Sequence, residues 1–376
     1  MRGQDLFSRA GVRRFVAFSL LAFLIAAGAA PRAGAQTVVK YGADFLAGGV
    51  GGRALGMGGA HVGLAQDVSA GYWNPAGLSQ LAYPEGAYMH AERFAGVVSF
   101  DYGSLAFPIN SRSTFGLSFF RSGVNDIKNT LDAWDPERDQ PKPNPESHFK
   151  TFSAADMAFF ASYARALGDN LSVGATGKII RRTIGDFADA WGYSFDLGVR
   201  YRTGRFVFGA NLQDVTRMYQ SWSVNREALQ NIEDVFGEEM PQGGVEVVLP
   251  VARLGSGVVV PVGAGEFVLG LDVDVAFDGQ QAYAFNAGDL SFHPRVGTEF
   301  SYKGVVALRA GLSNFMTSER YGFDVTPTIG AGLQIQQFAI DYGFGDFAGL
   351  ASDLGYSHRI SARLTLEQPG LKRKAN

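Results

Sequence analysis

Hydrophobic and polar side chains alternate with a period of two through most of the chain after residue 84. The segment Phe267–Phe277 shows the pattern most completely. Its odd-numbered positions are all apolar, whereas its even-numbered positions include the aspartates Asp272 and Asp274. Because successive side chains of a β-strand point to opposite faces, the segment predicts a strand with one apolar and one polar face.

The same alternation predicts about fourteen strands, which makes the fold all-β. Most of them run about 9–12 residues, the length that a tilted strand needs to cross a bilayer. Strands of soluble sheets are shorter, at about 5–6 residues. The predicted strand cores are 85–92, 96–107, 113–121, 154–166, 170–182, 191–202, 205–212, 250–260, 266–277, 291–302, 304–313, 325–334, 337–345 and 355–366.

The connections between these predicted strands alternate in length from the second strand onward. Outer-membrane barrels pair short periplasmic turns with long external loops, and an even strand number returns both ends of the wall to one side. The pattern therefore predicts a transmembrane antiparallel β-barrel over residues 84–368. Short connections lie at 108–112, 168–169, 203–204, 261–265, Lys303 and Gln336, and long ones at 122–153, 183–190, 213–249, 278–290, 314–324 and 346–354.

The composition agrees with an apolar outer surface. Charged residues make up 18% of the chain, below the average of about 25%, and aromatic residues make up 13%. No apolar run of 18 residues follows residue 36, so we do not expect a helical membrane protein. A lipid-facing chain would then form a closed barrel, because only helices and closed barrels satisfy every backbone group inside hydrocarbon.

The polar face of the predicted strands carries mainly Gly, Ser, Asp and Arg, which suits the crowded interior of a barrel. Charges of opposite sign lie on neighbouring strands, so we expect them to form ion pairs that fill the lumen. An ion-conducting path is the alternative interpretation. This predicted lumen charge network comprises Asp196, Arg200, Asp272, Asp274, Arg295, Glu299, Arg309, Asp341, Arg359 and Arg363.

The N-terminus has the three parts of a secretory signal peptide, which is predicted to span residues 1–35. Several arginines precede the apolar stretch Phe15–Ala30, and residues 33–35 form an Ala-Gly-Ala cleavage site. An uncleaved membrane anchor is the alternative, although the apolar stretch is shorter than the ~20 residues that span a bilayer. Since the chain has no cysteine, neither a lipid-modified cysteine nor a disulfide is expected.

Residues 36–83 do not alternate and are rich in glycine, which permits positive φ and close backbone approach. We therefore expect a compact N-terminal hatch that packs inside the barrel. Asp67 is predicted to cap a short helix, and Asn74 before Pro75 to form a stiff Asx-type elbow. The glycines around Gly58 lack the spacing of a nucleotide-binding loop. The predicted hatch residues are Arg53, Gly56, Gly58, Gly59, Asp67, Trp73, Asn74, Pro75, Ala76 and Gly77.

The stretch from Gly52 to Leu81, GRALGMGGAHVGLAQDVSAGYWNPAGLSQL, resembles the N-terminal signature of the PorV/PorQ family within the FadL-like outer-membrane superfamily. The resemblance implies a barrel of the predicted strand number, plugged by a hatch that contains the Asn-Pro-Ala sequence at 74–76. It also implies a location in the outer membrane of a Gram-negative cell. The chain departs from a typical outer-membrane C-terminus, because it does not end on Phe and continues through a tail at 369–376.

Two functions follow from this resemblance. A PorV-like protein supports type IX-like protein secretion or surface assembly by binding secretion-system proteins or cargo at its external loops, here 122–153 and 213–249. The alternative is a FadL-type passive transporter of hydrophobic small molecules that is gated by the hatch. Phe120 and Phe160 fall on the otherwise small or polar face of their strands and would supply part of an apolar lining, unless they only fill the lumen.

An enzyme is not expected, because the chain has no G-x-S-x-G, H-E-x-x-H or cysteine-based motif. No cofactor or metal is expected either, since the acidic loop around Asp132 and Asp135 lacks the twelve-residue calcium pattern. The only basic cluster, 372–374, lies in the tail and does not indicate nucleic acid. Outer-membrane lipid is the partner that both functions share.

Overall fold

The computed structural model describes residues 37–38, 44–94, 96–135, 137–229, 242–277, 284–318, 322–346 and 356–368. The predicted signal peptide and C-terminal tail lie outside these residues. A two-residue strand lies at Thr37–Val38.

Fourteen antiparallel strands, β1 to β14 in chain order, form the wall of a closed barrel, which confirms the predicted fold class. Each predicted strand core has its counterpart, and most bounds differ by a few residues. β7 and β8 each consist of two parts. The strands are β1 Glu85–Arg93, β2 Val98–Pro108, β3 Ser113–Asn129, β4 Lys150–Ala166, β5 Leu171–Ile184, β6 Ala188–Thr203, β7 Phe206–Gln213 with Met218–Val224, β8 Val245–Val248 with Val251–Val262, β9 Gly265–Ala276, β10 Leu290–Tyr302, β11 Val306–Ser318, β12 Gly322–Ile335, β13 Phe338–Asp346 and β14 Tyr356–Thr365.

Hydrogen bonds between the first and the last strand close the wall. β1 pairs with β14 in a register that begins at Glu85↔Thr365, and it pairs with β2 on its other side. Every other wall strand pairs antiparallel with its neighbours along the chain. The described wall strands therefore satisfy their backbone groups within the sheet, as hydrocarbon requires.

The two faces of the wall differ as the alternation predicts. Large apolar side chains face outward, such as Leu308 with 63% and Ile329 with 58% of its surface exposed. The inward positions between them are buried, and many are small or charged, such as Arg309. An apolar belt of this extent is the surface that a barrel presents to hydrocarbon. None of the helices in the described segments reaches the length and apolar character of a bilayer-spanning helix.

Several strands extend beyond their predicted cores at the end of the barrel where the long connections lie. β3 continues to Asn129 and β4 begins at Lys150, so the predicted loop 122–153 shortens to 130–149. The predicted loop 213–249 likewise contains the second part of β7 and the first part of β8. Alternation is weak in the extensions of β3 and β4 because polar residues occupy both faces, as expected where water replaces hydrocarbon.

Several short elements lie in the long connections at the same end of the barrel. A small hairpin joins Trp134–Asp135 to Gln140–Pro141. The strand Phe285–Ala287 pairs with the start of β10. Single-turn 3-10 helices lie at Leu131–Ala133, Pro145–His148 and Glu227–Leu229.

Leu271 tests the contact between the belt and hydrocarbon, because it lies in the middle of β9 and is exposed on the outer face. We expect Leu271→Lys to lower the free energy of unfolding in lipid vesicles by about 2–4 kcal/mol, since an ammonium group must enter hydrocarbon. Val305→Lys, in the turn between β10 and β11, is the control and should cost less than about 1 kcal/mol. Equal losses in urea titrations of both variants would contradict this orientation of the wall.

Candidate functional site

Residues 44–81, here named the inner segment, lie against the inner face of the wall. The N–H of Gly52 donates to the hydroxyl of Ser361 on β14 at 3.0 Å. On the far side of the lumen, the hydroxyl of Ser79 donates to that of Ser172 on β5 at 2.7 Å. The inner segment contains the short helices α1 Asp44–Ala47, α2 Gly52–Gly56 and α3 Ala70–Trp73 and the 3-10 helix Pro75–Gln80.

The predicted Asx-type elbow is present at Asn74. Its Oδ1 atom accepts from the N–H of Ala76 at 3.2 Å, and Pro75 begins the 3-10 helix. Its Nδ2 group donates to the carbonyl oxygens of Val62 and Val199 at 3.3 and 3.0 Å. Since Val199 belongs to β6, one amide side chain joins two parts of the inner segment to the wall.

Asp67 does not cap α3, which corrects the prediction. The N-cap position belongs to Ser69, whose side chain makes no capping hydrogen bond. The Oδ1 atom of Asp67 instead accepts from the N–H and the hydroxyl of Ser69, at 2.9 and 2.5 Å. Asp and Ser favour the N-cap about equally, so the sequence alone does not separate the two positions.

Glycines of the wall make room for the backbone of the inner segment. A Cβ atom on Gly297 of β10 would lie 2.2 Å from the carbonyl oxygen of Met57, and one on Gly311 of β11 would lie 2.2 Å from the nitrogen of Gly58. Gly297 and Gly311 face each other in the register of the sheet. Only glycine permits backbone to approach backbone this closely. Similar contacts occur at Gly174, Gly209, Gly255, Gly270, Gly330 and Gly343.

The other predicted hatch residues also lie in the inner segment. The Nε1–H of Trp73 donates to the carbonyl oxygen of Val50 at 3.0 Å, and its ring packs edge-on against His61. A Cβ atom on Gly77 would lie 2.2 Å from the carbonyl oxygen of Ala65, so this glycine permits the chain to fold back on itself. Gly56 and Ala76 are buried, and Gly59 is partly exposed with φ at +79°.

A charge network joins α2 to three strands of the wall. The guanidinium of Arg53 donates to both carboxylate oxygens of Glu299 on β10, at 2.9 and 2.8 Å. The same carboxylate accepts from Arg309 on β11 at 2.5 Å, and Arg309 lies 2.8 Å from Asp341 on β13. Burial alone would lower the pKa of Arg53, but the charge of Glu299 outweighs it and raises that pKa above its ordinary value.

Ion pairs also link neighbouring strands elsewhere in the lumen. Asp274 on β9 lies 2.6 Å from Arg295 on β10 and 3.3 Å from Arg253 on β8. Arg363 on β14 lies 3.2 Å from Glu85 on β1, at the seam where the barrel closes.

A buried lysine holds the interruption of β7. The Nζ atom of Lys178 on β5 lies 2.8 Å from Asp196 on β6 and 2.5 Å from Asp214, which follows the first part of β7. Asp214 also accepts from the hydroxyl of Ser194 at 2.6 Å, and its N–H donates to Asp196 at 2.9 Å. These contacts fix the point at which the chain leaves the sheet before it resumes at Met218.

Asp272, Arg359 and Arg200 form no ion pair with any described residue. Asp272 accepts from two backbone N–H groups of the inner segment, both at 2.7 Å. Arg359 donates to the carbonyl oxygen of Gly48 at 3.0 Å. Two predicted network members therefore anchor the inner segment, and Arg200 is a buried residue of β6.

Sequence reasoning missed several partners of these charges. Lys178 and Arg253 occupy inward positions of predicted strands, so the alternation that located Asp196 could also have located them. Glu85 stands at the very start of β1, and Asp214 lies outside any alternating stretch, which leaves both without a local signal.

The lumen has an ionic side and an apolar side. The networks of Arg53 and Asp274 lie on β8 to β13. The inward positions of β1 to β4 carry a cluster of aromatic and apolar side chains, including Phe120 and Phe160, which are both buried. Glu85 and Arg93 on β1 and Asp156 on β4 also lie at inward positions, so this side contains some charge. Phe45 of α1 packs against Phe120 with ring centroids 6.1 Å apart. Tyr72 of α3 packs against Phe160 at the same distance.

A small internal cavity of about 30 Å³ lies between the inner segment and strands β1 and β14. Arg53, His61 and Asp67 line it together with Met89 and Tyr102. Burial lowers the pKa of His61 to about 4. Burial would raise the pKa of Asp67, but the positive charge of Arg363 and other contacts lower it to about 2.

No group of His, Asp and Glu in the described part of the chain is arranged to hold a metal ion. The absence of an enzymatic site remains a prediction of the sequence.

Gly311 tests the backbone contact between wall and inner segment. We expect Gly311→Ala to lower the free energy of unfolding by about 1–3 kcal/mol, because its Cβ atom would overlap the backbone of Gly58. Gly103→Ala is the matched control on β2, where a Cβ atom would meet nothing within 4 Å. Hydrogen exchange should also accelerate in the inner segment of Gly311→Ala. Unchanged hydrogen exchange and unchanged stability would contradict a close contact between Gly311 and the backbone of Gly58.

The buried imidazole of His61 predicts a loss of stability in acid. Its folded pKa of about 4 lies below the ordinary value of 6.5, so its contribution is complete above pH 6.5 and disappears as pH falls toward 4. Relative to His61→Gln, the wild-type free energy of unfolding should fall by up to about 3 kcal/mol over this range. His148→Gln, in the external connection, leaves His61 in place and should keep the loss of stability in acid. Burial raises the pKa of Asp44 to about 6. Because Asp44 is present in both proteins, its contribution to the pH dependence cancels in the comparison.

The fold is similar to those of solved hydrocarbon channels. The CymD monoaromatic hydrocarbon channel superposes with a TM-score of 0.54 at 13% identity, over 85% of this chain and 98% of that chain. The Pseudomonas putida toluene transporter TodX gives 0.52 at 15% identity, over 84% and 96%. Neither a family model nor a curated protein matches the sequence. The likeness at these identities concerns the barrel fold.

Proposed function

We propose that the protein is an outer-membrane channel for the passive transport of small hydrophobic molecules. The observation that carries the proposal is the apolar side of the lumen, where aromatic side chains of the wall and of the inner segment meet. The ring of Phe120 packs against those of Phe45 and Phe100, with centroid distances of 6.1 and 5.9 Å. The ring faces suit an apolar solute, and two guanidinium groups lie beside them: Arg93 is 4.2 Å from the centroid of the Phe100 ring and Arg182 is 5.8 Å from that of Phe45.

The inner segment acts as a hatch in this proposal, and its two sides have different tasks. Backbone contacts with wall glycines and the network of Arg53 and Glu299 hold it against β5 to β13. Against β1 to β4 it meets the wall largely through side chains, such as Tyr72 and Leu78. Side chains change rotamer more readily than packed backbone separates, so the solute passes on the apolar side.

The solved structures favour this function over the alternative. CymD is described as a monoaromatic hydrocarbon channel and TodX as a toluene transporter. These descriptions support small hydrophobic molecules as the solute class. The outward apolar belt and the predicted signal peptide support an outer-membrane location.

Support of protein secretion is the second candidate, because the signature at Gly52–Leu81 resembles the PorV/PorQ family. One structural observation favours it. β3 and β4 extend past the apolar belt and present a connection with its own hairpin and 3-10 helices at 130–149, a ledge on which a protein could dock. Deleting 133–147 should abolish secretion if this candidate is right and leave hydrocarbon uptake intact if transport is the function.

A disulfide between α3 and β4 tests the transport route. The chain has no cysteine, and a Cβ atom on Gly71 would lie 3.8 Å from that of Ser162, a typical distance for a disulfide. In Gram-negative cells that express Gly71→Cys/Ser162→Cys, oxidation should slow the uptake of radiolabelled toluene severalfold, because the link holds the apolar side closed. Reduction should restore the rate.

Ala106→Cys/Gly116→Cys is the matched control. Its two positions face each other on β2 and β3, and a Cβ atom on Gly116 would lie 3.8 Å from that of Ala106, so the link joins wall to wall. Oxidation of this pair should leave uptake unchanged. Equal uptake by the oxidised and reduced forms of the first pair would refute a route along α3. Uptake no faster than in cells without the protein would refute the transport function.

A further inference from the structure

A groove of about 720 Å³ opens on the outer face of the wall at β1, β2 and β14. Its floor lies where three outward positions lack a bulky side chain, namely Gly86, Gly103 and Ala362. A Cβ atom on Gly103 would meet nothing within 4 Å, which shows how open the floor is. The groove is a depression in an otherwise continuous apolar belt.

Two rows of outward side chains border the floor. One row shares the sheet register of Gly86, and the other shares that of Gly103. Apart from one phenol hydroxyl, all of these side chains are hydrocarbon. The rows comprise Leu364, Leu105 and Leu117, and Tyr88, Phe119 and Phe159.

A polar cluster stands at the external end of the groove. The hydroxyl of Tyr88 donates to the carboxylate of Asp101 at 2.7 Å, and Nδ1 of His90 lies 2.9 Å from the same oxygen. Arg121 lies 3.8 Å from the second oxygen of Asp101. These groups are part-exposed on the face that carries the belt, and the register places His90, Asp101 and Arg121 side by side, two residues beyond Gly103.

We propose that the groove holds one acyl chain of a surrounding membrane lipid, with the lipid headgroup at the polar cluster. The floor and both borders are apolar and continuous with the belt, so the medium that touches the belt also fills the groove. Hydrogen-bonding and charged groups lie at one end only, which matches an amphipathic ligand. Gly86 and His90 are four residue steps apart on β1, or ~13 Å, enough for most of an acyl chain.

The cluster fits a headgroup with both donors and acceptors. Asp101 and the exposed Glu92 can accept from an ammonium or hydroxyl group, and Arg121 can donate to a phosphate. Charged side chains on the outer face are tolerated near the membrane interface and costly in its middle. The cluster therefore marks the height at which the headgroup lies.

Photo-crosslinking tests the proposed lipid site in the groove. The full-length mature protein is placed in nanodiscs with phosphatidylethanolamine that carries a diazirine at the end of one acyl chain, and labelled peptides are identified by mass spectrometry. We expect severalfold stronger labelling of 103–119 than of 306–312, a stretch of the belt on β11. Moving the diazirine next to the headgroup should shift the label toward His90 and Asp101.

Matched variants separate the groove from the belt as a whole. Gly103→Leu fills the floor and should abolish the preference, whereas Ala310→Leu places a leucine on the exposed outer face of β11 and should not. Even labelling of both stretches in the wild type would overturn the proposal, as would an unchanged preference in Gly103→Leu. Two further results would also overturn it: displacement of the label by toluene, or a dimer that Gly103→Leu dissociates.

Discussion

The ring of backbone hydrogen bonds around the wall is the constraint on which the rest of the structure depends. Inside hydrocarbon every N–H and C=O of a strand needs a partner, so β14 must return to β1. Closure at fourteen strands then sets the width of the lumen. An eight-stranded barrel is just narrow enough for its own side chains to fill, so a wall of fourteen strands leaves space for something else. The inner segment occupies that space.

A chain inside a barrel brings its own backbone groups, and these need partners as well. Glycines such as Gly297 and Gly311 let the wall approach this backbone closely. Side chains of the wall supply hydrogen-bond partners: Asp272 accepts from two N–H groups and Arg359 donates to a carbonyl oxygen. The inward face of the strands therefore serves the inner segment as much as it serves the wall. This explains why it is so rich in glycine and in charge.

The sequence predicts the strands well because each carries its signal locally, in two faces that meet different surroundings. The signal fails where both faces meet water, as in the extension of β3 to Asn129. Ion pairs are harder to predict from the sequence. Lys178 meets Asp196 because of the register between β5 and β6, which depends on both strands together. The interruption at Asp214 has no local signal, because it depends on that same lysine. The sequence predicts the inner segment from its glycine content and its family resemblance. It does not predict which glycines of the wall contact that segment.

The division of the lumen into two sides bears on what it can admit. Opening the ionic side would separate buried charges such as Arg53 and Glu299, and an unpaired buried charge costs about 3–5 kcal/mol. Opening the apolar side separates aromatic contacts of about 0.5–1.5 kcal/mol each and single hydrogen bonds of about 1 kcal/mol each, such as that from the N–H of Val68 to Glu85. An apolar solute offsets that cost by burying its own surface, at about 25 cal/mol per Å². A hydrated ion gains nothing there and must shed water. In the transport function that we propose, the charges of the lumen therefore favour apolar solutes, because they hold the ionic side closed.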